Sequence, residues 1–480
     1  MTDVLVVGAG PTGLATAVTL REWGATVRVV DGAQAPFAGS RGKGVQPRTL
    51  EVLDALGLAG RLVSWGRFRM PLRQYADRTD RTGTEVDLHP GAEPTPDTPW
   101  ARSLMVPQWR TEQVLRERLS ELGVEVEWGR RVTALDDGGA TVGGERIEAG
   151  YVVGADGGGS TVRQLIGVDF LGETYEEARM LLGDVRLEGL DRDAWHGWAS
   201  EQYPFLALCP LPSTDTFQFQ AAVMPGAAMP EPGPEAFQAA IDSVTTGVRV
   251  REVTWGSRWR MNVRMVDRYR AGRVFLAGDA AHVHSPAGGQ GLNTGIQDGV
   301  NLGWKLGSVL RGADPALLDT YEAERLPIAA GVLGLSSLLS TRGLGNRGAE
   351  GEEAMQLGLT YRGGPLAPLS AGPGARPGDR APDAPLRTPD GEPARLFDLL
   401  RVPRWTQLGF GVRPEGPGRL VEVGVDVLDA DGHLAAAYAP EPGEVIAIRP
   451  DRHVGPRGTA AQVAAEIARW SPVPEGAPTA

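Results

Sequence analysis

A glycine-rich turn at residues 8–13 constrains the fold more than any other feature of this sequence. The apolar stretch Asp3–Val7 precedes the turn, a helical pattern follows it to about Trp23, and a second apolar stretch, Thr26–Val30, comes next. This order predicts a strand, a tight turn, a helix and a parallel strand, which together form a βαβ unit. The spacing Gly-x-Gly-x-x-Gly in such a unit is typical of dinucleotide binding; a glycine-rich turn without a ligand is the alternative.

Each position of this turn has a physical task in the predicted site. The first glycine permits the tight turn, the second lets the backbone approach a pyrophosphate, and the third lets the helix and strand pack closely. The helix N-terminus supplies N–H donors and the positive end of a dipole for the phosphates. An aspartate after the second strand is placed to accept hydrogen bonds from an adenosine ribose. The residues predicted to bind the dinucleotide here are Gly8, Gly10, Pro11, Thr12, Gly13 and Asp31.

Two further strand-to-turn motifs carry aspartates. Residues 154–163 read Gly-Ala-Asp-Gly-Gly-Gly-Ser-Thr-Val-Arg, and residues 277–282 read Ala-Gly-Asp-Ala-Ala-His. Asp279 follows an apolar strand directly, so we expect a buried carboxylate that needs hydroxyl or N–H donors, such as those of a polyhydroxyl chain. For Asp156 and Arg163 of the first motif, a helix cap is the alternative to a ligand contact.

The three motifs, in this order, resemble the FAD-dependent aromatic hydroxylases, the single-component class A flavoprotein monooxygenases similar to p-hydroxybenzoate hydroxylase. The likeness covers most of residues 1–345 and is strongest to the hydroxylases of aromatic polyketide biosynthesis and to rifampicin monooxygenase. It implies an α/β fold with three parts. These are a Rossmann-like FAD-binding domain, a mixed or antiparallel β-sheet substrate domain and a C-terminal thioredoxin-like domain.

The resemblance also assigns cofactor contacts outside the first turn. It implies that Asp279 holds the ribityl chain of FAD, that Asp156 contacts both FAD and the path of NAD(P)H, and that the backbone of Val132 meets the adenine. It further implies that Arg41 lies beside the flavin, with a surface charge as the alternative, and that Gln108 contacts FAD.

The loop at residues 285–293 has the largest predicted part in the mechanism. Its glycines allow the backbone to lie against a flat ring, and the helix that follows directs its N-terminus at that ring. Reduced flavin is an anion, so N–H groups at the start of the helix would stabilise it, whereas a plain strand-to-helix connection is the alternative. The residues of this loop predicted to contact FAD are Pro286, Gly289, Gly291, Leu292 and Asn293, of which the first two are the predicted catalytic residues of the flavin face.

The chain has 480 residues, which is enough for more than one hydrophobic core. The predicted FAD-binding domain is discontinuous and consists of residues 1–71, 101–179 and 269–362. Short alternating segments broken by proline and glycine predict a substrate-binding sheet domain from residues 72–100 and 180–268. Residues 378–480 form the predicted C-terminal domain, after a linker predicted at Gly363–Pro385 from its proline and glycine content.

Composition limits the partners. Forty-eight basic and 60 acidic residues give a net charge of −12, which argues against nucleic acid and against an anionic membrane surface. Neither a signal peptide nor an apolar stretch of the ~20 residues that span a bilayer is visible. The single cysteine, Cys209, suits a reducing compartment and excludes thiol redox chemistry in the C-terminal domain. We therefore expect a cytoplasmic protein that is a monomer or a homodimer.

His282 and His284 raise the question of a metal or a catalytic base. No cysteine lies nearby and no His-Glu-x-x-His spacing occurs, so no metal site is predicted and both histidines are interpreted as packing beside the flavin. A second question concerns four tryptophans, which either line an aromatic pocket or fill the core of the second sheet: Trp195, Trp198, Trp255 and Trp259.

The resemblance implies a monooxygenase that consumes NADPH or NADH as a transient co-substrate. Reduced FAD would add O2 to form a C4a-hydroperoxide, which hydroxylates a large aromatic substrate of polyketide or antibiotic type. Only one βαβ fingerprint is visible in the sequence, which favours transient nicotinamide binding. Three alternatives stay open, namely Baeyer–Villiger oxygenation, ring-opening oxygenation and a flavoprotein that sequesters an aromatic drug. No general base is assigned.

Overall fold

The computed structural model describes residues 2–285, 289–342, 353–369 and 372–472. The elements up to residue 165 are β1 (Thr2–Val7), α1 (Pro11–Glu22), β2 (Val27–Asp31), β3 (Gly44–Val45), α2 (Pro47–Ala55), α3 (Ala59–Val63), β4 (Leu72–Gln74), β5 (Thr84–Val86), β6 (Leu104–Met105), α4 (Gln108–Glu121), β7 (Val126–Trp128), β8 (Val132–Asp136), β9 (Gly139–Val142), β10 (Glu145–Gly154) and α5 (Thr161–Leu165). The elements from residue 171 to 342 are β11 (Leu171–Glu188), β12 (Trp195–Trp198), β13 (Phe205–Pro210), β14 (Thr216–Val223), α6 (Pro234–Val244), β15 (Arg249–Met265), β16 (Arg270–Ala271), β17 (Val274–Leu276), β18 (His282–Val283), α7 (Gly291–Leu310) and α8 (Asp319–Arg342). The remaining elements are β19 (Pro385–Arg387), β20 (Pro393–Arg395), α9 (Leu396–Leu399), β21 (Thr406–Phe410), β22 (Arg419–Val423), α10 (His433–Tyr438), β23 (Val445–Ile448), β24 (Val454–Gly458) and α11 (Ala460–Ala468).

The first sheet has the strand order β16-β17-β10-β1-β2-β7, with β8 and β9 branching from β10. Strand β1 pairs in parallel with β10 on one side and with β2 on the other. Its residues Val4, Leu5 and Val6 are fully buried, as expected for a central parallel strand covered on both faces. The carboxyl ends of β1, β2 and β10 therefore meet at one edge of the sheet, where ligands bind in open α/β folds.

Helix α7 packs closely against α1 behind this edge. Every fourth residue on the buried face that α7 directs toward α1 is a glycine, and a Cβ on Gly299 would lie 2.7 Å from the backbone oxygen of Thr12. A Cβ on Gly303 would likewise lie 2.8 Å from the Cβ of Thr19. The glycines thus let the two helix backbones approach each other, which fixes the N-terminus of α7 next to the first glycine turn.

The second sheet has the order β18-β15-β11-β14-β13-β12-β4-β5 and is antiparallel except for the β12–β4 pair. Helix α6 covers its outer face, where Phe237 contacts the positions of Gly183 and Gly256. The inner face is directed at the first sheet. The pairing of β11 with β15 begins at Leu171, which lies opposite Met265. This sheet therefore begins before residue 180, inside residues 101–179, which the sequence predicted to belong to the FAD-binding domain.

A third core lies in the C-terminal part, around a four-stranded sheet of order β22-β21-β23-β24. Strands β21 and β22 are parallel, and the other two pairs are antiparallel. Buried ion pairs join this C-terminal part to helices α8 and α2. Arg449 contacts Glu324 of α8 at 2.7 Å, and Arg452 contacts Asp54 of α2 at 2.8 Å.

The segment at residues 363–385, predicted to be a linker, is packed against the rest of the chain over its described second half. Ala381 is fully buried, Asp383 is 1% exposed, and Arg380 pairs with Glu51 of α2 at 2.7 Å. Its proline and glycine content is therefore a property of a well-packed irregular segment rather than of a loose connection. Among the helices of the described residues, none is both long and apolar enough to cross a membrane.

Candidate functional site

An open cleft of about 970 Å³ separates the carboxyl edge of the first sheet from the inner face of the second. The predicted cofactor residues that line it are Gly8, Gly10, Pro11, Thr12, Asp31, Arg41, Gln108, Val132, Asp156, Asp279, Gly289, Gly291 and Leu292. Gly13 and Asn293 are buried and do not line the cleft. Pro286, a predicted catalytic residue, lies outside the described residues.

The three glycines of the first turn face different surroundings. Gly8 has a φ of +107°, and a Cβ there would lie 2.3 Å from the oxygen of Ala155. A Cβ on Gly13 would lie 2.0 Å from the oxygen of Gly8. A Cβ on Gly10, in contrast, would meet no atom within 4 Å, and Gly10 borders the cleft. Protein packing thus requires the outer two glycines, whereas the middle one leaves room at the N-terminus of α1 for a phosphate group.

Asp31 fixes the shape of this turn. Its Oδ2 accepts a hydrogen bond from the backbone N–H of Ala9 at 2.7 Å, and its Oδ1 accepts one from Ala33 at 2.7 Å. A carboxylate oxygen accepts more than one hydrogen bond, so Asp31 can hold the turn and also receive a ribose hydroxyl from the cleft.

Asp156 caps α5, as the helix-cap alternative predicted. Its carboxylate accepts hydrogen bonds from the backbone N–H groups of Thr161 at 2.7 Å and Val162 at 3.1 Å, and it also borders the cleft. Arg163 has a structural task as well, because its guanidinium donates to the oxygen of Ala280 at 2.9 Å. This contact ties the second aspartate motif to the third.

Asp279 opens into the cleft, so the expectation of a carboxylate buried in protein is wrong. Strand β17 ends at Leu276, and a 3-10 turn at Gly278–Ala280 carries the side chain away from the core. The protein walls around the cleft raise the pKa of Asp279, while the charges of His282 and Arg41 oppose this shift. An acceptor whose oxygens face the cleft is suited to hydroxyl donors from a ligand.

The N-terminus of α7 forms the far end of the same wall. Gly291 and Leu292 border the cleft, so the first N–H groups and the positive end of the helix dipole are directed toward it. Asn293 holds the preceding loop instead of lining the cleft. Its Oδ1 accepts from the N–H of Gln46 at 2.7 Å, and its Nδ2 donates to the oxygen of Gly289 at 2.7 Å.

Asp298 is the buried anchor of this wall, and sequence reasoning missed it. Its Oδ2 accepts from the N–H of Gly278 at 3.0 Å and lies 2.7 Å from Nε2 of His282. Its Oδ1 accepts from Nε of Arg325 at 2.6 Å. Burial opposes the charged form, but Arg325 and His282 prevail and lower the pKa of Asp298. One carboxylate thus fastens the turn that carries Asp279 to α7; an acidic residue in an apolar helix was the available signal.

The two histidines pack beside this wall. His282 is fully buried and stacks on the ring of Tyr269. His284 borders the cleft, and its Nδ1 donates to the oxygen of Ser285 at 2.9 Å. Burial lowers the pKa of His284 to about 4, so the ring is neutral at pH 7. Within the described ranges, no group of three or more His, Cys, Asp or Glu side chains is arranged to hold a metal ion.

Gln108 holds the segment that carries Arg41. Its Oε1 accepts from the N–H of Gly42 at 3.0 Å, and its Nε2 donates to Glu112 at 2.9 Å. Burial raises the pKa of Glu112 to about 7. The guanidinium of Arg41 lies over the ring of Phe37, 5.0 Å from its centroid, and borders the cleft.

The opposite wall is the inner face of the second sheet. Met180 pairs with Trp259 and Leu182 pairs with Gln220, so register places all four side chains on one face, and all four line the cleft. The four tryptophans, which were expected either to line a pocket or to fill the core of the second sheet, do not share one environment. Trp259 lines the cleft, whereas the others are packed in the protein: Trp195 is 7% exposed, Trp198 stacks on Tyr75 at 4.7 Å, and Trp255 packs against Phe37 at 5.4 Å.

Lys43 is a second residue that sequence reasoning missed. It borders the cleft where the two walls meet, next to Gly42, and a Cβ on Gly42 would lie 3.7 Å from the Leu292 side chain. The sequence feature that could have pointed to Lys43 is the scarcity of lysine, because the chain has only two, Lys43 and Lys305.

Comparisons with known proteins agree with this geometry. Residues 1–336 match the family described as FAD binding domain. A flavin-dependent monooxygenase of Mycobacteroides abscessus is 41% identical over 94% of this chain and 96% of its own length. The 12-dehydrotetracycline 5-monooxygenase/anhydrotetracycline 6-monooxygenase of Streptomyces rimosus is 35% identical over 94% of each chain. The structure of aklavinone-11 hydroxylase with FAD and aklavinone has a TM-score of 0.83 at 27% identity, covering 98% of this chain and 99% of that one.

Proposed function

The chain belongs to the flavin-dependent aromatic monooxygenases that carry this FAD-binding domain, and we propose that it hydroxylates a large aromatic substrate of polyketide or antibiotic type. One observation carries this proposal. A single cleft joins a wall of glycine turns and helix N-termini, suited to a phosphate-bearing cofactor, to a broad sheet face with Met180, Leu182 and Trp259, suited to flat apolar rings.

The residues of the first wall fit FAD. The room at Gly10 accepts a phosphate group that a Cβ would displace, and the open carboxylate of Asp279 accepts hydroxyl donors of a ribityl chain. We assign the pyrophosphate to residues 8–12, the adenosine ribose to Asp31 and the adenine to the backbone of Val132. The flavin ring is assigned to the remaining part of the wall, with Arg41, Gln108, Asp156, Gly289, Gly291 and Leu292.

FAD, when bound, supplies reduction by a nicotinamide and activation of O2 for transfer of one oxygen atom to an aromatic ring. The chain contributes electrostatics and seclusion. The N-terminus of α7 stabilises negative charge on a ring placed against it, and the neutral ring of His284 adds no charge there at pH 7. The sheet wall orients the substrate and keeps water from the reacting atoms.

NADH or NADPH is proposed as the electron donor. Of the two Gly-x-Gly-x-x-Gly spacings in the sequence, at residues 8–13 and 343–348, only the first follows a strand, which supports a nicotinamide that enters the open cleft transiently. We further propose a thioredoxin-like architecture for the C-terminal part, supported by its mixed sheet with one parallel pair and an antiparallel hairpin. Because it has no cysteine, we propose a structural or dimerisation role for it and no thiol redox activity.

The test combines cofactor, turnover and product. The purified protein is expected to be yellow, and anthraquinone-like or rifamycin-like compounds are expected to accelerate NAD(P)H oxidation more than simple benzoates do. Mass spectrometry of the product should show one added oxygen with the ring system intact. Colourless protein that takes up no FAD would overturn the proposal. A cleaved ring, an inserted ester oxygen or tight binding of an unchanged ligand would replace hydroxylation with one of the alternative functions.

A further inference from the structure

Lys43 is held in place by side chains of the second sheet. Its Nζ donates to Oε1 of Gln218 at 2.5 Å and to Oε1 of Gln220 at 3.1 Å, and it lies 4.1 Å from the centroid of the Trp195 ring. Gln218 is itself oriented, because its Nε2 donates to the backbone oxygen of Ser40. The half-buried ammonium group therefore has a fixed position on the wall of the cleft.

This corner differs in chemistry from the rest of the sheet wall. Met180, Leu182 and Trp259 present apolar atoms to the cleft, whereas Lys43 and Gln220 present a cation and an amide. An apolar polycycle fits the first part, and an oxygen at the edge of that polycycle fits the second. A lysine ammonium is a compact point charge, which suits a single charged oxygen better than the flat fork of an arginine does.

Resting on the proposed function, we propose that Lys43 determines specificity: its ammonium group binds the ionised oxygen of a phenol or enol on the aromatic substrate. The rings then lie along Met180, Leu182 and Trp259. An ionised oxygen also increases the electron density of its ring, which favours transfer of an electrophilic oxygen atom. Lys43 holds the charge and undergoes no covalent change.

Two titratable groups flank the corner from neighbouring strands. Asp184 of β11 and Cys209 of β13 lie opposite Gln218 in the register on either side. Burial raises the pKa of Asp184 to about 6 and that of Cys209 to about 11. A titration of a bound ligand between pH 7 and 9 therefore falls above the first pKa and below the second.

The first test compares 2-hydroxyanthraquinone with 2-methoxyanthraquinone on the FAD-loaded enzyme. The wild type should bind the hydroxyl compound at least about tenfold more tightly and, by absorbance, should lower the pKa of its hydroxyl by about one unit. Lys43→Met should remove both the preference and the pKa shift while retaining FAD, and Lys43→Arg should keep part of each. A Lys43→Met enzyme that keeps the wild-type preference overturns the proposal.

A second test uses the wild type, so it does not depend on the folding of a variant. Lys305 is fully buried, so an acylating reagent should label Lys43 and the N-terminal amine, which serves as the internal reference. Bound 2-hydroxyanthraquinone should slow acylation of Lys43 several-fold more than the methyl ether does, as read by peptide mass spectrometry. Equal protection by two ligands that both bind and stimulate turnover overturns the Lys43 assignment alone. Failure of any aromatic compound to bind or react overturns the proposed function and this inference with it.

Discussion

The two walls of the cleft are built in different ways. The first wall consists mainly of backbone: glycine turns, strand ends and helix N-termini at residues 8–13, 154–163, 277–285 and 289–293. The second wall consists of side chains that project from the face of a sheet, with Met180, Gln220 and Trp259 contributed by three strands. A wall made of backbone keeps the same shape when surrounding side chains are substituted, so it suits one ligand. A wall made of side chains can acquire a different ligand specificity through single substitutions.

The walls also differ in what holds them. The first depends on buried polar anchors, of which Asp298 is the most connected. The second depends on strand register and on apolar packing under α6. Changes to the buried anchors and packed glycines of the first wall should therefore affect folding and cofactor retention together, while changes to the side chains of the second wall that line the cleft should affect binding of the substrate alone.

The largest expected effect comes from Asp298→Asn. The substitution leaves Arg325, which is 1% exposed, without its charged partner and should lower the free energy of unfolding by about 3–5 kcal/mol. Urea unfolding of the FAD-loaded protein measures this loss. The control is Glu188→Gln, which breaks an exposed pair with Arg251 on the second sheet and should lower the free energy of unfolding far less, because solvent screens the two charges. Similar losses in both variants would remove the contrast between the walls.

Gly13→Val comes next. A Cβ at this position would lie 2.0 Å from the oxygen of Gly8, so the turn must shift, and FAD binding should weaken about 100-fold, or ~3 kcal/mol. The matched variant Gly10→Ala has space for its Cβ and should melt like the wild type as apoprotein while binding FAD about tenfold more weakly. Titration with FAD and thermal melts of the apoproteins measure both effects. If Gly10→Ala bound FAD normally, the pyrophosphate assignment would fail.

Trp259→Ala should act on the substrate alone. Loss of its apolar contact should weaken binding of an anthraquinone about tenfold, or ~1.4 kcal/mol, with FAD content unchanged. Equilibrium titration of the holoenzyme and the flavin absorbance report the two quantities. Tyr175→Ala, at a 42% exposed position on the same sheet outside the cleft, provides the control and should change neither. Loss of FAD from the Trp259 variant would show that the walls are not separable.

Asp184→Asn should give the smallest effect, which depends on pH. Burial raises the pKa of Asp184 from 3.8 to about 6, so its contribution to stability is present below pH 4 and is lost as the pH rises through 6. The variant has no such titration. The free energy of unfolding of the wild type relative to the variant should therefore fall by roughly 1 kcal/mol between pH 5 and pH 7. A difference that stays constant over this range would contradict the buried, neutral carboxyl.

Much of the first wall could be predicted from the sequence. Strand β1 was expected at Asp3–Val7 and occurs at Thr2–Val7, and α7 was expected from about Leu292 and begins at Gly291. The family resemblance drawn from the three motifs is confirmed by the comparisons. These successes have a local cause, since turns, helix starts and strand ends are encoded by residues close together in the chain.

The errors concern contacts between distant residues. Asp279 was expected to be buried because it follows an apolar strand, but a short turn directs it into the cleft. The buried carboxylate in that region is Asp298, which accepts a hydrogen bond from Arg325, 27 residues further along the chain. The expected linker is packed because Arg380 reaches Glu51, 329 residues away.

The sequence by itself determined the family, the glycine turns and the type of cofactor, because phosphate and ring contacts made by backbone require glycine at fixed local spacings. Only the tertiary structure decided which side chains of the second sheet line the cleft. Lys43 stands alone in the sequence and reaches Gln218, which is 175 residues away, through strand order and register. Register moves every side chain of a strand to one face or the other, so the substrate wall exists only once the sheet has formed.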